Sequence, residues 1–181
     1  MKNIFFYNTE VGILGIAEEN HHITNVFFQS QIYEVKHLPV TVESVNKIVN
    51  DKGMVIDGEN YSIRETKTLR EASKQLKQYF SGSLKSFELP LAPQGTAFMK
   101  SIWECLMRIP YGEIRSYKEI AQESGNLKAS RAVGMANNRN PLPFFIPCHR
   151  VIGSNGKLIG YRGGLDIKIK LLELEKKHAD I

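Results

Sequence analysis

The first half of the chain alternates short apolar runs with polar turns, a pattern that is typical of β-strands. The runs are rich in β-branched and aromatic side chains, which favour strands. They predict strands at Ile4–Tyr7, Val11–Ala17, Ile23–Phe28 and Ile32–Val35, and a further short strand at Met54–Ile56. The stretch Val40–Val49 fits a helix or a strand.

Helical spacing replaces this alternation near residue 69. Apolar side chains at Leu69, Ala72, Leu76, Tyr79 and Phe80 predict an amphipathic helix over 69–80, which Ser81-Gly82-Ser83 should end. Two prolines and a glycine in the segment 89–95 then indicate a linker. We therefore expect two domains, residues 1–90 and 95–181.

The second half is helical in pattern. Thr96 is placed to cap a helix whose inner face would contain Phe98, Ile102, Cys105 or Leu106, and Ile109. Pro110-Tyr111-Gly112 should stop that helix. A last helix is predicted over Asp166–Lys177.

Two shorter helices are predicted between these. Ser116 and Glu119 have the spacing of a capping box, which favours a short helix through Gln122. Gly125-Asn126 indicates a turn, and Ala129–Asn138 a second helix. The pair resembles a helix-turn-helix, although many helical hairpins of this form do not touch DNA.

Charge is distributed unevenly between the halves. Residues 1–92 carry ten Lys/Arg against eleven Asp/Glu, whereas residues 93–181 carry fourteen against eight. A basic half joined to a neutral half suggests a polyanionic partner for the C-terminal part, and an ordinary solvated surface explains the charge equally well.

Composition excludes several classes of protein. No apolar run approaches the roughly 18 residues of a membrane span, and Phe5-Phe6-Tyr7 is too short for a signal peptide, so we expect a cytoplasmic protein. The only cysteines, Cys105 and Cys148, should be free thiols in a reducing compartment. They lack the spacing of a zinc site with the five histidines, so no metal is predicted.

Cys148 and His149 are the candidate chemical pair. A thiol attacks as thiolate, so Cys148 needs a neighbouring base or positive charge. Adjacent side chains on a strand point in opposite directions, hence a tight turn or a bridging water would be required. Pro141, Pro143 and Pro147 stiffen this segment and disfavour regular helix. A buried, inert cysteine is the simpler alternative, and it is our interpretation of Cys105.

The segment Pro147-Cys148-His149-Arg150-Val151 resembles the signature of the methylated-DNA–protein-cysteine methyltransferases, or O6-alkylguanine-DNA alkyltransferases. Further segments match that family in order and spacing over roughly residues 95–175. They are Gly95-Thr96-Ala97-Phe98 with Trp103, Ile109-Pro110-Tyr111-Gly112-Glu113, Ser116-Tyr117, Ala132-Val133-Gly134, Asn140-Pro141 and Gly160-Tyr161-Arg162-Gly163-Gly164-Leu165.

The resemblance implies an α+β fold of two domains. An N-terminal α/β domain similar to ribonuclease H would precede a helical domain with a winged helix-turn-helix. The implied activity is irreversible, stoichiometric transfer of an alkyl group from O6-alkylguanine in double-stranded DNA, with O4-methylthymine as a second substrate, to Cys148. The base would be flipped out of the duplex. We expect a monomer that acts once and needs no cofactor.

The resemblance also implies roles for individual residues. Cys148 would accept the alkyl group, His149 would take the thiol proton through a water, and Glu175 would orient the histidine. Tyr117 would donate a hydrogen bond to the guanine ring. Asn140 would hold the turn that carries the cysteine.

Further residues are implied to contact DNA or the flipped base. Arg131 would fill the space that the base leaves, on a helix placed in the minor groove. Ser116, Tyr117, Ala132 and Gly134 complete the implied DNA-binding set, and Tyr161, Gly163, Gly164 and Val151 the implied base pocket. Arg162 stands where some members carry serine, which would narrow the pocket. Lys168 is interpreted as structural.

Three alternatives remain beside this interpretation. A non-catalytic reader of alkylated bases would replace the cysteine, typically with tryptophan, and position 148 is cysteine. A helix-turn-helix transcription factor would leave Pro147–Val151 unexplained. A thiol hydrolase using Cys148 and His149 would need an oxyanion loop, for which no segment is a candidate.

Overall fold

The computed structural model of the chain describes residues 1–33 and 54–179. The chain folds as two compact units, Met1–Ala92 and Pro93–Ile181. Among the described residues, no helix has the length and apolar character that crossing a bilayer requires.

The first unit contains a five-stranded sheet in the order β3-β2-β1-β5-β4. Its strands are β1 Lys2–Thr9, β2 Gly12–Glu19, β3 His22–Phe28, β4 Met54–Ile56 and β5 Glu59–Ile63. Neighbouring strands are antiparallel, except that β5 runs parallel to β1. The predicted strands over 4–7, 11–17, 23–28 and 54–56 are confirmed. β5 was not predicted, although Asp57 and Gly58 take the positive φ values of 52° and 78° that a tight hairpin turn needs.

The predicted strand Ile32–Val35 is wrong where the structure describes it. Residues Gln29–Tyr33 form a short helix, α1. The Gln29 side chain accepts a hydrogen bond from the backbone N–H of Ile13 at 3.1 Å, and Ile32 is buried in the core of the sheet. One helical turn therefore buries Ile32, one of the apolar side chains that suggested a strand. The predictions for Val40–Val49 and for residues 34–35 lie outside the described residues.

Helix α2, Lys67–Phe80, confirms the predicted amphipathic helix and packs on strands β1, β2 and β3. Thr66 caps it by accepting from the N–H of Leu69 at 3.2 Å. The five predicted apolar positions are all buried, and each of the larger ones contributes about 1.5–3 kcal/mol. The helix ends at Ser81. Part of the predicted linker is fixed against β3, because Ile23 exchanges backbone hydrogen bonds with Pro90 and Ala92.

The second unit consists mainly of helices around one short parallel strand pair. They are α3 Ala97–Met107, α4 Tyr117–Glu123, α5 Ser130–Asn138 and α6 Leu165–His178, with β6 Arg115–Ser116 beside β7 Val151–Ile152. Thr96 caps α3 as predicted. Trp103 is buried and donates from Nε1 to the carbonyl of Ala136 at 2.9 Å, which joins α3 to α5.

Two details of α3 differ from the prediction. Phe98 is 39% exposed and not part of the inner face, which Ile102, Cys105 and Leu106 form. The helix ends at Met107, before Pro110, and Ile109 is buried just beyond its end. Pro110, which has no N–H to continue the helix, follows the C-cap Arg108 by two residues, in agreement with the predicted stop.

The capping box at the start of α4 is confirmed. The Glu119 N–H donates to the Ser116 hydroxyl at 3.2 Å, and the Ser116 N–H donates to the Glu119 carboxylate at 2.6 Å. Because Ser116 pairs with Ile152 across β6 and β7, the first residue of α4, Tyr117, starts beside the segment that follows Cys148.

Candidate active site

The backbone before Cys148 is held in a tight turn by Asn140. The side chain of Asn140 accepts from the N–H of Leu142 at 3.0 Å and donates to the carbonyl of Ile146 at 2.9 Å. Between them, Phe144 is buried with a φ of 73°, a left-handed conformation that costs energy for a bulky side chain. The segment is therefore fixed and strained, as the prolines suggested.

Cys148 lies in a single 3₁₀ turn, Cys148–Arg150, that follows Pro147. Successive side chains in such a turn diverge by a third of a revolution rather than pointing in opposite directions as on a strand. All three side chains of the turn are buried, with His149 fully so. The turn resolves the difficulty that the sequence raised for adjacent cysteine and histidine.

Glu175, on α6, accepts four hydrogen bonds from this region. His149 Nε2 lies 2.8 Å from Oε1, and the Arg150 guanidinium donates to both oxygens at 2.9 Å. The backbone N–H of Gly112 completes the set at 3.0 Å from Oε2. A carboxylate only accepts, so Nε2 of neutral His149 carries the proton and its Nδ1 has the basic lone pair.

The titration of this buried cluster follows from its partners. Burial alone would raise the pKa of Glu175, but the hydrogen bonds and charges of His149 and Arg150 hold that pKa well below its usual range. Burial lowers the pKa of His149, against the opposing effect of Glu175. The carboxylate is therefore ionised and the imidazole neutral at pH 7.

Cys148 rests as a thiol. Burial raises its pKa to about 11, although the Asn140 side chain and the charges of Lys168 and Arg162 favour the thiolate. A base that removes the proton as the sulfur attacks is consequently needed at neutral pH.

Two tyrosines are coupled electrostatically to Cys148. Burial raises the pKa of both Tyr117 and Tyr161, and a negative charge on Cys148 raises each pKa further. Tyr117 donates to the carbonyl of Ile159 at 3.1 Å. It also lines a groove with Lys118, Leu127 and Ser130.

The remaining predicted site residues lie outside the hydrogen-bonded cluster of His149, Arg150 and Glu175. Arg131 and Ala132 are exposed on α5 rather than buried with the cysteine turn. Gly134 faces the ring of Tyr117, and Ser116 serves the capping box. Val151 follows the 3₁₀ turn and is buried. Gly164 is the N-cap residue of α6 with a φ of 97°, and its N–H donates to the carbonyl of Tyr161. Gly163 precedes it and is half-buried.

Sequence reasoning did not identify three side chains of the site. Arg150 binds Glu175 as described above. Asn137 is buried in α5 and donates to the carbonyl of Cys148 at 3.3 Å. Lys168 is fully buried, and its ammonium group donates to the carbonyls of Val151 at 2.6 Å and Ile159 at 3.2 Å.

The sequence contains a pattern that points to Lys168 and Glu175 on α6. Both lie at helical spacing from the buried Leu171, so two charged residues occupy the face of the helix that is expected to be apolar. Within residues 1–33 and 54–179, no three or more potential metal ligands cluster together.

Comparisons with known proteins cover nearly the whole chain. Residues 5–93 match the family model described as 6-O-methylguanine DNA methyltransferase, ribonuclease-like domain, and residues 97–177 match its DNA binding domain. These matches and the mixed helices and sheets confirm an α+β fold with two domains of those kinds.

Individual relatives agree with the family models. The chain is 45% identical over 169 residues to the constitutive methylated-DNA–protein-cysteine methyltransferase of Bacillus subtilis, covering 93% of this chain and 92% of the relative. It is 66% identical over 106 residues to the methylated-DNA–protein-cysteine methyltransferase of Methanosarcina acetivorans, covering 59% and 68%. The crystal structure of Mycobacterium tuberculosis OGT in complex with DNA superposes with a TM-score of 0.78 at 35% identity, covering 97% and 94%.

Proposed function

Because this chain belongs to the 6-O-methylguanine DNA methyltransferase family, we propose that it repairs DNA by transferring an alkyl group from O6 of guanine to its own Cys148. The observation that carries the proposal is the buried hydrogen-bonded array that joins the turn of Cys148 and His149 to Glu175. Such an array supplies a nucleophile, a base and a group that orients the base.

The chemistry begins with the thiol proton. Cys148 attacks the alkyl carbon in line with the bond from that carbon to O6, and the thiol proton passes to His149 through a bridging water. A bond forms between the sulfur and the alkyl carbon, the bond from the alkyl carbon to O6 breaks, and its electron pair leaves with guanine. The guanine anion takes up a proton at a ring nitrogen and the imidazolium of His149 gives up the thiol proton, so no proton is gained or lost overall. Glu175 stabilises the imidazolium that forms.

Tyr117 and Asn140 support this step. The Tyr117 hydroxyl donates a hydrogen bond to the guanine ring as negative charge develops there. Asn140 keeps the sulfur in position, because its side chain closes the turn that carries Cys148. Because a thioether is stable, each molecule would act once, and because the substrate itself supplies the alkyl group, the transfer would need no cofactor.

Double-stranded DNA with an O6-alkylguanine is the proposed partner of the second unit. The exposed side of α5 would lie in the minor groove, with Arg131 in the space of the flipped base, and Ser116, Ala132 and Gly134 beside the backbone. Tyr161, Val151, Gly163 and Gly164 would surround the base. O4-methylthymine is proposed as a second substrate.

We also propose that the protein works in the cytoplasm as a monomer. Both of its cysteines are free thiols, and the reaction needs Cys148 reduced. Residues 1–90 and 95–181 are proposed as its two domains.

The deciding experiment is the intact mass of the protein after incubation with duplex DNA that contains one O6-methylguanine. The expected result is a gain of one CH₂ equivalent per chain, mapped to Cys148, absent in Cys148→Ser and retained in Cys105→Ser. Cys105 is the matched control, because it is a second buried thiol that lies against Arg108. Tight binding of the lesion without a mass gain would instead indicate a non-catalytic reader of alkylated bases.

A further inference from the structure

Asn137 is a buried amide that has no part in the reaction proposed above. It is 3% exposed on α5, and its Nδ2 donates to the carbonyl of Cys148 at 3.3 Å. Its Oδ1 is also buried and accepts no hydrogen bond within the described part of the chain. An unsatisfied buried oxygen costs stability, so packing alone does not account for an amide here.

The ring of Tyr117 lies along the same face of α5. A methyl group added at Gly134 would lie 3.8 Å from two carbons of that ring, so the ring passes over the glycine. Asn137 follows Gly134 by three residues, which places both on one face of the helix. The Tyr117 ring and the Asn137 side chain therefore lie against the same face of α5.

A carboxamide has two N–H donors, and only one can serve the Cys148 carbonyl. The Tyr117 oxygen can accept one hydrogen bond while it donates its own hydrogen, which it now gives to Ile159. We propose that Asn137 is a positioning residue that donates its second N–H to the Tyr117 oxygen and so turns the hydroxyl hydrogen toward the ring of the flipped base. This inference rests on the proposed function, because it concerns the same transfer.

The electrostatics support this arrangement. Burial raises the pKa of Tyr117 and the charge of Cys148 raises it further, whereas a hydrogen bond from the Asn137 side chain lowers it. A donor to a phenol oxygen polarises the O–H bond and strengthens the bond that the hydroxyl donates. The gain is largest when the base carries negative charge, at the transition state.

The test is a double-mutant cycle on the single-turnover rate of methyl transfer from duplex DNA at saturating protein. Asn137→Leu should lower the rate about 10-fold, and Tyr117→Phe about 100-fold. In the Tyr117→Phe background, Asn137→Leu should change the rate less than about 2-fold. Gln122→Leu, an exposed amide on α4, is the matched control and should leave the rate unchanged.

A second measurement separates Tyr117 from the cysteine turn. Alkylation of Cys148 by iodoacetamide uses the thiolate but neither a guanine ring nor the Tyr117 hydroxyl. Its rate should therefore be the same in Asn137→Leu and the parent chain. Equal losses of methyl transfer in both Tyr117 backgrounds, or an equal loss of iodoacetamide reactivity, would overturn the inference. Asn137→Ala carries the same test if the leucine variant does not fold. A parent chain that gains no methyl group would refute the proposed function itself, which is a separate outcome.

Discussion

Replacing Glu175 with glutamine should disable the site and weaken the fold together. The carboxylate accepts four hydrogen bonds: one from His149, two from the Nε and Nη2 groups of Arg150, and one from the Gly112 N–H. Glutamine keeps the shape but presents one oxygen and one NH₂ group, so donors on one side lose their acceptor. The Arg150 side chain, which is only 8% exposed, also keeps its positive charge without the opposite charge of the Glu175 carboxylate.

The magnitude follows from the burial of this pair. Removing one partner of a buried ion pair costs about 3–5 kcal/mol, which for a chain of this size lowers the melting temperature by about 10 °C. The rate of methyl transfer should fall about 10²–10⁴-fold, because His149 loses the group that fixes its tautomer. Thermal unfolding followed by circular dichroism reports the loss of stability. The single-turnover rate, measured at a temperature at which the variant is folded, reports the loss of activity.

The pH dependence gives a further check on Glu175. Its folded pKa is depressed, so its contribution to stability is present above the unfolded pKa, near 4.3, and is lost as pH falls toward the folded value. The difference between parent and Glu175→Gln should therefore shrink below about pH 4. Glu173→Gln, an exposed carboxylate on the same helix, should change stability by less than about 0.5 kcal/mol. Parent-like stability and rate in Glu175→Gln would refute this reasoning.

Three other predictions concern the cysteine and its neighbours. Lys168→Met leaves the buried carbonyl of Val151 without its ammonium donor and removes a positive charge near the thiol. We expect a loss of about 1–3 kcal/mol and slower alkylation of Cys148 by iodoacetamide, with the exposed Lys170→Met unchanged. Because burial lowers the pKa of His149, this base stays neutral at pH 6.5, and the rate of methyl transfer should be constant between pH 7.5 and about 6.5. A rate that has already fallen to half its maximum at about pH 6.5 would contradict the lowered pKa. Burial raises the pKa of Cys148 in the folded chain to about 11, so its contribution to stability is complete below the unfolded pKa and is lost as pH rises. Between about pH 8.5 and 11, the free energy of urea unfolding of the parent should fall by about 2–3 kcal/mol relative to that of Cys148→Ser. The same pH dependence of unfolding in both proteins would refute the raised pKa.

Local patterns were sufficient for most helices and strands of the described residues. Strands β1 to β3 and helix α2 follow the period of apolar positions, and Thr96 and Ser116 cap their helices through bonds within four residues. The failures were short elements. Residues 32–33 became helix and β5 was missed, because in a few residues the pattern is weak and packing on the sheet decides.

The reactive pair and the family could be recognised from local sequence alone, because Cys148 and His149 are adjacent and the surrounding motif is continuous. The family resemblance implied a role for Glu175, 26 residues after His149, but the bonds that Glu175 accepts from His149, Arg150 and the Gly112 N–H exist only in the folded chain. The tertiary structure also turned Lys168 and Asn137, two ordinary polar residues in the sequence, into buried neighbours of Cys148. The reason is that burial and hydrogen bonding, which set pKa values and orient donors, depend on contacts between segments that no local pattern specifies.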